Sequence, residues 1–350
     1  MKEWHNKYNS FNSMKALVHV PYWKKAYDTN TIAPPLFVSV DPSAICQLNC
    51  KHCNAAEALQ TKQGMMSKET VDQLIQVFKN QWFTASICIG GGGEPLTNDN
   101  TYYLIDQLKE NNIQIAFVTN GVKLNKNIET ILKCDYLGIS VDCATSKTFS
   151  VVKGVNEDIF NTVIRNISNI TSKGLEICYK YLLLPTNYNE IYDAIKLAKN
   201  IGCDLFHMRP GSDPWFDRNM IRFNENIIKI VEEQINRARS DFEDDNFKIF
   251  SVVNKFSENW SPKLTFNKCY TCLTTCYISF DGTIGLCCDR RGDNSIELGN
   301  ISESNIWGSE KHKNIHNSID VKQCPRCTFS SVNEIYENVI IKDRMFYNFF

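Results

Sequence analysis

Between residues 36 and 209 the sequence alternates short apolar runs with longer amphipathic segments, and this alternation limits the possible folds more than any other feature. The short runs are rich in β-branched residues and have the length of strands. The longer segments repeat apolar residues at helical spacing, as residues 71–78 do after Ser67, a predicted helix N-cap. The six predicted strands are residues 36–40, 86–89, 115–118, 136–141, 176–183 and 205–209.

Strands that alternate with helices pair in parallel through right-handed crossovers, so an α/β fold is predicted. Six units make a partial (β/α)6 TIM-like barrel, because the sequence shows no further two units to complete eight. We expect an N-terminal arm at residues 1–35 that packs on the barrel, the barrel at residues 36–240 and a small C-terminal domain at residues 241–350. Functional side chains are expected at the carboxyl ends of the strands.

The bulk composition excludes several classes of protein. With 43% hydrophobic and 11% aromatic residues, the 350-residue chain has enough apolar side chains for a sizeable core. The 38 basic and 39 acidic residues give a net charge of -1, which argues against a nucleic-acid binder and against a polybasic membrane anchor. No signal-peptide pattern and no apolar run of membrane-spanning length are present, so a cytoplasmic protein is predicted. Its 15 cysteines then indicate metal or redox chemistry rather than disulfides.

Three of the cysteines, Cys46, Cys50 and Cys53, lie directly after the first predicted strand in a C-x3-C-x2-C array. Four-iron clusters are normally held by four cysteines, so three thiolates leave one iron without a protein ligand and open to chemistry. A structural zinc site or three buried thiols are the alternatives. Zinc prefers four closed ligands, and buried cysteines need no metal-binding spacing. The array therefore predicts an iron-sulfur cluster with one open iron.

A run of four glycines at residues 90–93, followed by Glu94, comes directly after the second predicted strand. Consecutive glycines indicate a close approach to the main chain or a positive φ. By itself the run would suit a flexible turn or a phosphate-binding loop. Placed about one strand and helix unit after the three-cysteine array, it makes the sequence similar to the radical S-adenosylmethionine (SAM) superfamily. In that family SAM chelates the open iron, and the resemblance implies SAM contacts at Gly92, Gly93 and Glu94.

The resemblance also implies roles for side chains at other strand ends. Family positions after the third and fourth strands approach the SAM ribose and carboxylate, and here they are Asn120, Ser140 and Asp142. Ordinary turn chemistry explains the same residue types. Arg209, at the end of the sixth strand, suits the SAM carboxylate, a substrate anion or a structural salt bridge. His52 lies inside the cysteine array and is expected to pack against the adenine rather than to bind a metal.

The C-terminal region holds seven further cysteines, and the Asp281-Gly282 pair among them predicts a tight hairpin. This order resembles the SPASM and the shorter Twitch extensions of radical SAM enzymes, which bind auxiliary 4Fe-4S clusters. Only one cysteine pair follows the Gly-Asn-Ile segment at residues 299–301, so we expect one auxiliary cluster. Matched by position, its ligands are Cys269, Cys287, Cys324 and Cys327.

The other C-terminal cysteines, Cys272, Cys276 and Cys288, have no assigned role and can replace a matched ligand. A zinc site is the rival interpretation, because the C-x2-C pairs that begin at Cys269 and Cys324 supply four thiolates. The hairpin and the barrel motif favour iron. The cysteines on the predicted barrel elements are expected to be small buried hydrophobic residues, at positions 88, 134, 143, 178 and 203.

The resemblance implies an enzyme in which an electron, from a donor such as flavodoxin or ferredoxin, enters the first cluster. SAM is then cleaved to methionine and a 5′-deoxyadenosyl radical, which abstracts a hydrogen from the substrate. One auxiliary cluster can accept an electron from the substrate radical. The first hypothesis is therefore a radical SAM oxidoreductase that acts on a small molecule, namely a polyol, sugar or amino-sugar.

Two other hypotheses stay open. Many SPASM relatives modify a peptide or protein side chain, often with a leader-binding domain. Only about 35 residues precede the predicted barrel, so this hypothesis ranks second. A non-catalytic iron-sulfur scaffold or sensor is the third. No acid or base is assigned, because candidates such as Lys180 cannot be told from structural residues by sequence.

Overall fold

One sheet organises the part of the chain that the computed structural model describes, which is residues 13–171, 173–211, 221, 223–251, 266–324 and 327–342. Its strands are β1 (Phe37–Val40), β2 (Ser86–Ile89), β3 (Gln114–Thr119), β4 (Tyr136–Ser140), β5 (Ile177–Leu183), β6 (Leu205–Pro210), β7 (Lys248–Ser251), β8 (Thr275–Ile278), β9 (Thr283–Gly285) and β10 (Glu297–Asn300). The order across the sheet is β10-β9-β8-β1-β2-β3-β4-β5-β6-β7.

All neighbouring strands from β8 through β1 to β7 are parallel, whereas β9 and β10 continue the sheet in antiparallel fashion. The six predicted strands and the α/β class are confirmed. Two further parallel strands that were not predicted extend these six, because β7 pairs with β6 and β8 pairs with β1. Both extra strands have four residues and lie in the segment assigned to the C-terminal domain. β1 and β2 are equally short, so length is not the reason that β7 and β8 were missed. Each of the two is recognised as a strand from its pairing with β6 or β1.

Helices connect the parallel strands and cover one face of the sheet. Their N-caps follow the usual chemistry: Ser67 Oγ accepts from the amide of Thr70 at 3.2 Å, and Asn224 Oδ1 accepts from that of Ile227 at 2.9 Å. In the described residues no helix is long and apolar enough to cross a membrane. The helices are α1 (Val20–Asp28), α2 (Ala56–Thr61), α3 (Lys68–Val77), α4 (Asn100–Glu110), α5 (Ile128–Ile131), α6 (Ser146–Lys153), α7 (Asp158–Ser168), α8 (Ile191–Asn200), α9 (Glu225–Phe242), α10 (Glu310–Ser318) and α11 (Ser330–Ile335).

The two faces of the parallel sheet bury different residues. On the helix-covered face, Tyr179 and Phe206 stack in the main core with ring centroids 5.7 Å apart. On the inner face, Tyr136 and Cys178 belong to a separate small cluster. Since successive side chains of a strand point to opposite faces, Lys180 faces the inner side together with Cys178. The inner face therefore changes from apolar to polar toward the carboxyl end of β5.

The N-terminal arm packs on the C-terminal segment. Trp23 in α1 is buried against Tyr336, with ring centroids 5.5 Å apart, and Tyr270 belongs to the same cluster. The expected packing of the arm on the barrel is thus joined by packing on the C-terminal segment, since the same cluster includes Leu36 at the start of the predicted barrel. The sequence reveals an apolar face but not the surface that it covers. The arm's aromatic residues at positions 4, 8 and 11 lie outside the described residues.

The predicted Asp281-Gly282 hairpin is confirmed between β8 and β9. Gly282 has a φ of +83°, a conformation that glycine adopts without steric cost. Asp281 Oδ1 accepts from the amide of Thr283 at 3.0 Å. The hairpin extends the parallel sheet into the C-terminal segment, so that segment is joined to the barrel through the backbone pairs of β8 with β1.

Candidate active site

The cysteine array and the ends of β4, β5 and β6 line one cavity of about 190 Å³. Six of the side chains predicted from sequence line it: Cys50, Cys53, His52, Ser140, Asp142 and Arg209. Cys46 and the predicted residues at the ends of the second and third strands are not among its lining residues. The topology explains this convergence, because parallel strands end at the same edge of a sheet. Lining residues not assigned to the site by sequence are Asn54, Lys153, Lys180, Tyr181, Leu182 and His207.

The three thiols of the array lie close enough to influence one another's pKa. Burial raises the pKa of all three thiols, that of Cys50 to about 11. N–H groups oppose this effect at two of them. The amide of Leu48 donates to the sulfur of Cys46, where Asn120 Nδ2 lies 3.8 Å away, and the amide of Ala55 donates to Cys53. These donors stabilise thiolates, the form that binds iron.

The array fits an iron-sulfur cluster. Among the described residues, no three His, Cys, Asp or Glu side chains are arranged to hold a single metal ion. Cysteines of a four-iron cluster each bind a different iron, so their sulfurs need not converge on one point. The N–H donors aimed at the sulfurs of Cys46 and Cys53 are the groups that such a cluster needs around it.

Helix α6 anchors the middle of the cysteine array. The amide of Asn49 donates to the carbonyl oxygen of Lys153 at 2.9 Å. Gly154 follows with a φ of +66°, and a Cβ atom there would lie 2.4 Å from the carbonyl oxygen of Asn49. Glycine is required on both grounds, because only glycine combines this φ with so close an approach. The array is thus held against the end of α6.

Asp142 and Lys153 form a buried ion pair beside the cysteine array. Asp142 Oδ1 also accepts from the amide of Leu182 at 2.6 Å. Burial alone would raise the pKa of Asp142, but Lys153 holds it below its ordinary value. Asp142 was predicted from the sequence as a site residue, whereas Lys153 was not. The feature of the sequence that could have revealed Lys153 is its position beside the apolar residues Val151 and Val152, directly before a glycine.

The glycine run packs against the start of the cysteine array. The amide of Gly93 donates to the carbonyl oxygen of Ser43 at 2.7 Å, and that of Glu94 donates to Ile45 at 2.9 Å. A Cβ atom on Gly93 would lie 2.5 Å from the carbonyl oxygen of Ile45. The close approach predicted for the glycine run is confirmed. The group that approaches the run is the chain's own backbone. The run therefore fixes the position of the array.

Glu94 is buried and joins the second strand end to the third. Its carboxylate accepts from the hydroxyl of Thr119 at 2.6 Å and from the amides of Asn120 at 2.7 Å and Leu96 at 3.1 Å. A carboxylate has about four acceptor positions, so about one is left for a ligand. The SAM contact predicted for Glu94 stays a prediction, and the described contacts show that it also holds Asn120 beside Cys46.

A second group of thiols gathers in the C-terminal segment. Cys287 and Cys327 lie near Cys269, and Cys324 lies near Cys327. Cys272 joins them: its sulfur donates to the carbonyl oxygen of Cys269 at 3.0 Å. Cys276, on β8, differs from Cys272: burial is the only cause of its raised pKa, whereas Cys269 and Cys287 also act on the pKa of Cys272.

Asn333 in α11 fixes the turn that carries Cys269 and Cys272. Its Oδ1 accepts from the amides of Tyr270 at 2.6 Å and Thr271 at 2.9 Å. Its Nδ2 lies 3.4 Å from the sulfur of Cys327. Sequence reasoning missed this residue, because a single asparagine in a helix carries no local signal of such contacts. Asn333 thus connects both ends of the thiol group.

His312 in α10 holds the same turn from the other side. The amide of Gly308 donates to its Nδ1 at 3.1 Å, so Nε2 carries the proton and donates to the carbonyl oxygen of Cys272 at 2.8 Å. Burial lowers the pKa of His312 to about 4, which keeps the ring neutral. A neutral ring with one donor and one acceptor satisfies both contacts. His312 is therefore a fixed support rather than a metal ligand in this arrangement.

Arg291 connects the C-terminal segment to the first strand. Its Nε donates to Asp41 Oδ2 at 2.7 Å, and its Nη1 donates to the carbonyl oxygen of Cys288 at 2.7 Å. Both charged side chains are buried. A Cβ atom on Gly91 would lie 2.4 Å from Nη2 of Arg291, so the glycine run also leaves room for this guanidinium. The two thiol groups are thereby linked through one ion pair.

Comparison with known proteins identifies two domains. The model of the radical SAM superfamily matches residues 40–198, and the model of an iron-sulfur cluster-binding domain, SPASM, matches residues 269–328. Together these matches cover more than half of the chain. The chain belongs to the radical SAM superfamily. It carries a radical SAM domain and a SPASM domain, and the cofactors of these domains are SAM with a 4Fe-4S cluster and auxiliary iron-sulfur clusters.

Curated relatives of this radical SAM chain have different products. The mycofactocin maturase MftC of Mycobacterium tuberculosis (strain CDC 1551 / Oshkosh) is 24% identical, over 52% of this chain and 48% of its own length. The subtilosin biosynthesis protein AlbA of Bacillus subtilis (strain 168) is 25% identical, over 51% and 40% respectively. The AdoMet-dependent heme synthase of Methanosarcina barkeri is 24% identical, over 50% of each. The chain spans about half the length of the curated relatives it matches.

Solved structures share the fold of this radical SAM chain. Streptococcus suis SuiB bound to the precursor peptide SuiA has a TM-score of 0.66 and 17% identity, over 88% of this chain and 73% of SuiB. The protein anSMEcpe with bound AdoMet has a TM-score of 0.62 and 18% identity, over 84% and 88% respectively. At these identities the likeness shows the common fold alone.

In the SPASM domain, replacing Asn333 by alanine is expected to lower the free energy of unfolding by about 2 kcal/mol. The substitution leaves the buried amides of Tyr270 and Thr271 without their acceptor. Denaturant unfolding of the reconstituted protein measures the change. Asn338→Ala, at an exposed position of the following helical segment, is the control and should stay within about 0.5 kcal/mol of the unchanged protein. Equal stability of the two variants would contradict the role given to Asn333.

Proposed function

We propose that this radical SAM enzyme cleaves SAM reductively and uses the resulting radical to modify a peptide or protein side chain. The observation that carries the first part is the position of Cys46, Cys50 and Cys53 at one edge of a parallel sheet, beside a cavity and a glycine run. The second part is supported by the relatives: MftC is a maturase, AlbA serves bacteriocin biosynthesis, and SuiB has been solved with a precursor peptide. They favour the hypothesis ranked second over a polyol, sugar or amino-sugar substrate.

In this proposal Cys46, Cys50 and Cys53 hold a 4Fe-4S cluster with one open iron. When bound, the cluster and SAM supply a 5′-deoxyadenosyl radical for hydrogen abstraction. The chain's own groups prepare the site. The amides of Leu48 and Ala55 stabilise thiolates at the first and third cysteines. The end of α6 and the glycine run hold the array still, so its ligands are oriented before any cofactor binds.

The proposed SAM contacts come from the array itself, the glycine run and the ends of β3, β4 and β6. Burial lowers the pKa of His52 to about 4, so it presents a neutral ring suited to packing against an adenine. Asp142 is already paired with Lys153, so its negative charge is compensated. It therefore contributes to the SAM site through its shape and its fixed dipoles rather than as an unpaired charge. The full proposed set is His52, Gly92, Gly93, Glu94, Asn120, Ser140, Asp142 and Arg209.

A second cluster is proposed in the C-terminal segment, with one auxiliary 4Fe-4S cluster held by Cys269, Cys287, Cys324 and Cys327. The proximity of Cys269, Cys287 and Cys327 supports this set. Cys272, beside Cys269, is the substitute ligand that the contacts favour. We retain the division into an arm, a SAM domain at residues 36–240 and a cluster domain at residues 241–350.

The remaining elements of the proposal concern the cell. An electron donor such as flavodoxin or ferredoxin is expected, because the proposed reaction needs a one-electron reductant. A cytoplasmic location suits cysteines that must stay reduced to bind iron. Neither a nucleic acid nor a membrane is expected as a partner, given the balanced charge of the chain.

Anaerobic reconstitution tests this function. Protein supplied with iron and sulfide is expected to hold about eight irons and eight sulfides, from two four-iron clusters. After reduction it should convert SAM to 5′-deoxyadenosine. Zinc with half the iron would contradict the auxiliary cluster. Two intact clusters without any 5′-deoxyadenosine, in the presence of candidate peptides, would instead support the scaffold or sensor hypothesis.

A further inference from the structure

Lys180 is a cation in the cavity that has no partner in the described structure. It lies on β5, is partly exposed, and its accessible surface lines the cavity beside Arg209 and His207. Its ammonium group makes neither a hydrogen bond nor an ion pair with any residue that the structure describes. Enclosed cations are normally paired, because burial removes hydration that only an anion or acceptor restores. The missing partner is therefore expected to be a ligand.

The backbone around Lys180 is shaped to admit its side chain. A Cβ atom on Gly138, in the neighbouring strand β4, would lie 2.8 Å from Cδ of Lys180. Glycine at this inner position leaves the lysine stem room to cross β4. On the other side, Lys180 is the register partner of His207 on β6. The site is thus built by three adjacent strands and not by a surface loop.

The charges around Lys180 favour an anion. The nearby carboxylate of Asp142 is compensated by Lys153 and by the amide of Leu182. Burial and the positive charge of Arg209 lower the pKa of Lys180, although Cys178 opposes them. Burial also holds the pKa of His207 well below its ordinary value, so that ring is neutral. An anion bound here would offset the positive charge of Lys180.

We propose that Lys180 binds a carboxylate of the peptide substrate, from an acidic side chain or a C-terminus, and so orients the residue to be modified. This inference rests on the proposed function. SAM also has a carboxylate, but in the proposed site SAM is held at the cysteine array. Lys180 lies level with Ser140, its register partner on β4, and one inward-facing position deeper than Leu182, whose amide contacts Asp142. The cations that act on His52 in the array are Lys153 and Arg209, and Lys180 is not among them. Lys180 therefore lies apart from the array, which favours the substrate as the source of the carboxylate.

Acetate is the probe for the carboxylate site, tested against chloride at constant ionic strength. In the reconstituted protein, acetate is expected to raise the melting temperature in a saturable manner. Lys180→Met should raise the acetate concentration needed for half of this effect by about tenfold or more, because it removes a charge-assisted hydrogen bond. Lys180→Arg keeps the charge and should retain the effect. Equal acetate responses of the Met variant and the unchanged protein would overturn the proposal.

Equilibrium binding of labelled SAM separates the two sources of carboxylate. The proposal predicts the same SAM affinity, within about twofold, for the unchanged protein and both variants. A tenfold loss in Lys180→Met that Lys180→Arg restores would assign Lys180 to SAM and overturn the proposal. Absence of 5′-deoxyadenosine in the unchanged protein would contradict the proposed function instead, since acetate and SAM binding are measured without turnover.

Discussion

Replacing Cys46, Cys50 and Cys53 together by alanine is expected to abolish SAM cleavage and to halve the iron content, from about eight to about four irons per chain. The three thiols are the proposed ligands of the first cluster, and the C-terminal thiols form a separate group. The auxiliary cluster should therefore remain. Anaerobic iron and sulfide analysis, with 5′-deoxyadenosine measured after reduction, gives both results from one preparation.

Cys276→Ala is the matched control for this experiment. It removes a thiol that is buried in the main core on β8 and not among the proposed ligands. It should retain about eight irons and undiminished SAM cleavage. Undiminished cleavage in the variant without Cys46, Cys50 and Cys53 would rule out the assignment of the first cluster.

Cys287→Ala should remove the auxiliary cluster, because Cys287 is one of its proposed ligands. If the spectrum of the auxiliary cluster stayed intact in this variant, Cys288 would be the better ligand.

Arg291→Met is expected to lower the free energy of unfolding by about 3–5 kcal/mol, because it leaves the Asp41 carboxylate buried without its partner. The same change frees the carbonyl oxygen of Cys288 beside the auxiliary thiols. Both effects act where the C-terminal segment meets the first strand. Denaturant unfolding of the reconstituted protein measures the loss, and the slope of the transition reports whether the C-terminal segment separates first.

Two further variants make the Arg291 experiment decisive. Lys313→Met breaks a pair with Glu310 that is exposed to solvent, and should cost less than about 1 kcal/mol. Combining Arg291→Met with Asp41→Asn removes both charges and should recover much of the lost stability. If Arg291→Met were as stable as Lys313→Met, the buried pair would not hold the segment to the sheet.

Local patterns made the barrel and the first thiol group predictable. Six strands are apolar runs that can be recognised without knowing their neighbours, and Ser67 caps its helix through contacts three residues away. The cysteine array is informative because its ligands are close in sequence. β7 and β8 were not predicted, because each can be recognised as a strand only from its pairing with a strand distant in the chain. The extent of the sheet is therefore a tertiary property.

The supporting residues of the site were less accessible to sequence reasoning. Arg291 meets Asp41 across 250 positions of the chain, and Asn333 reaches Tyr270 across 63. Single residues of these types are common on protein surfaces, so only the folded structure shows that they are buried and paired. Lys153 was missed for the same reason. Sequence thus indicated the groups proposed to carry the chemistry, and the structure adds the groups that hold them in place.

The most direct test of the central claim is deuterium transfer into 5′-deoxyadenosine. The reconstituted, reduced enzyme is given SAM and uniformly deuterated peptides encoded by neighbouring genes, and the nucleoside is analysed by mass spectrometry. We predict that one peptide transfers deuterium to 5′-deoxyadenosine and is itself modified. Deuterium that comes instead from a labelled sugar or polyol, with none from any peptide, would contradict the account.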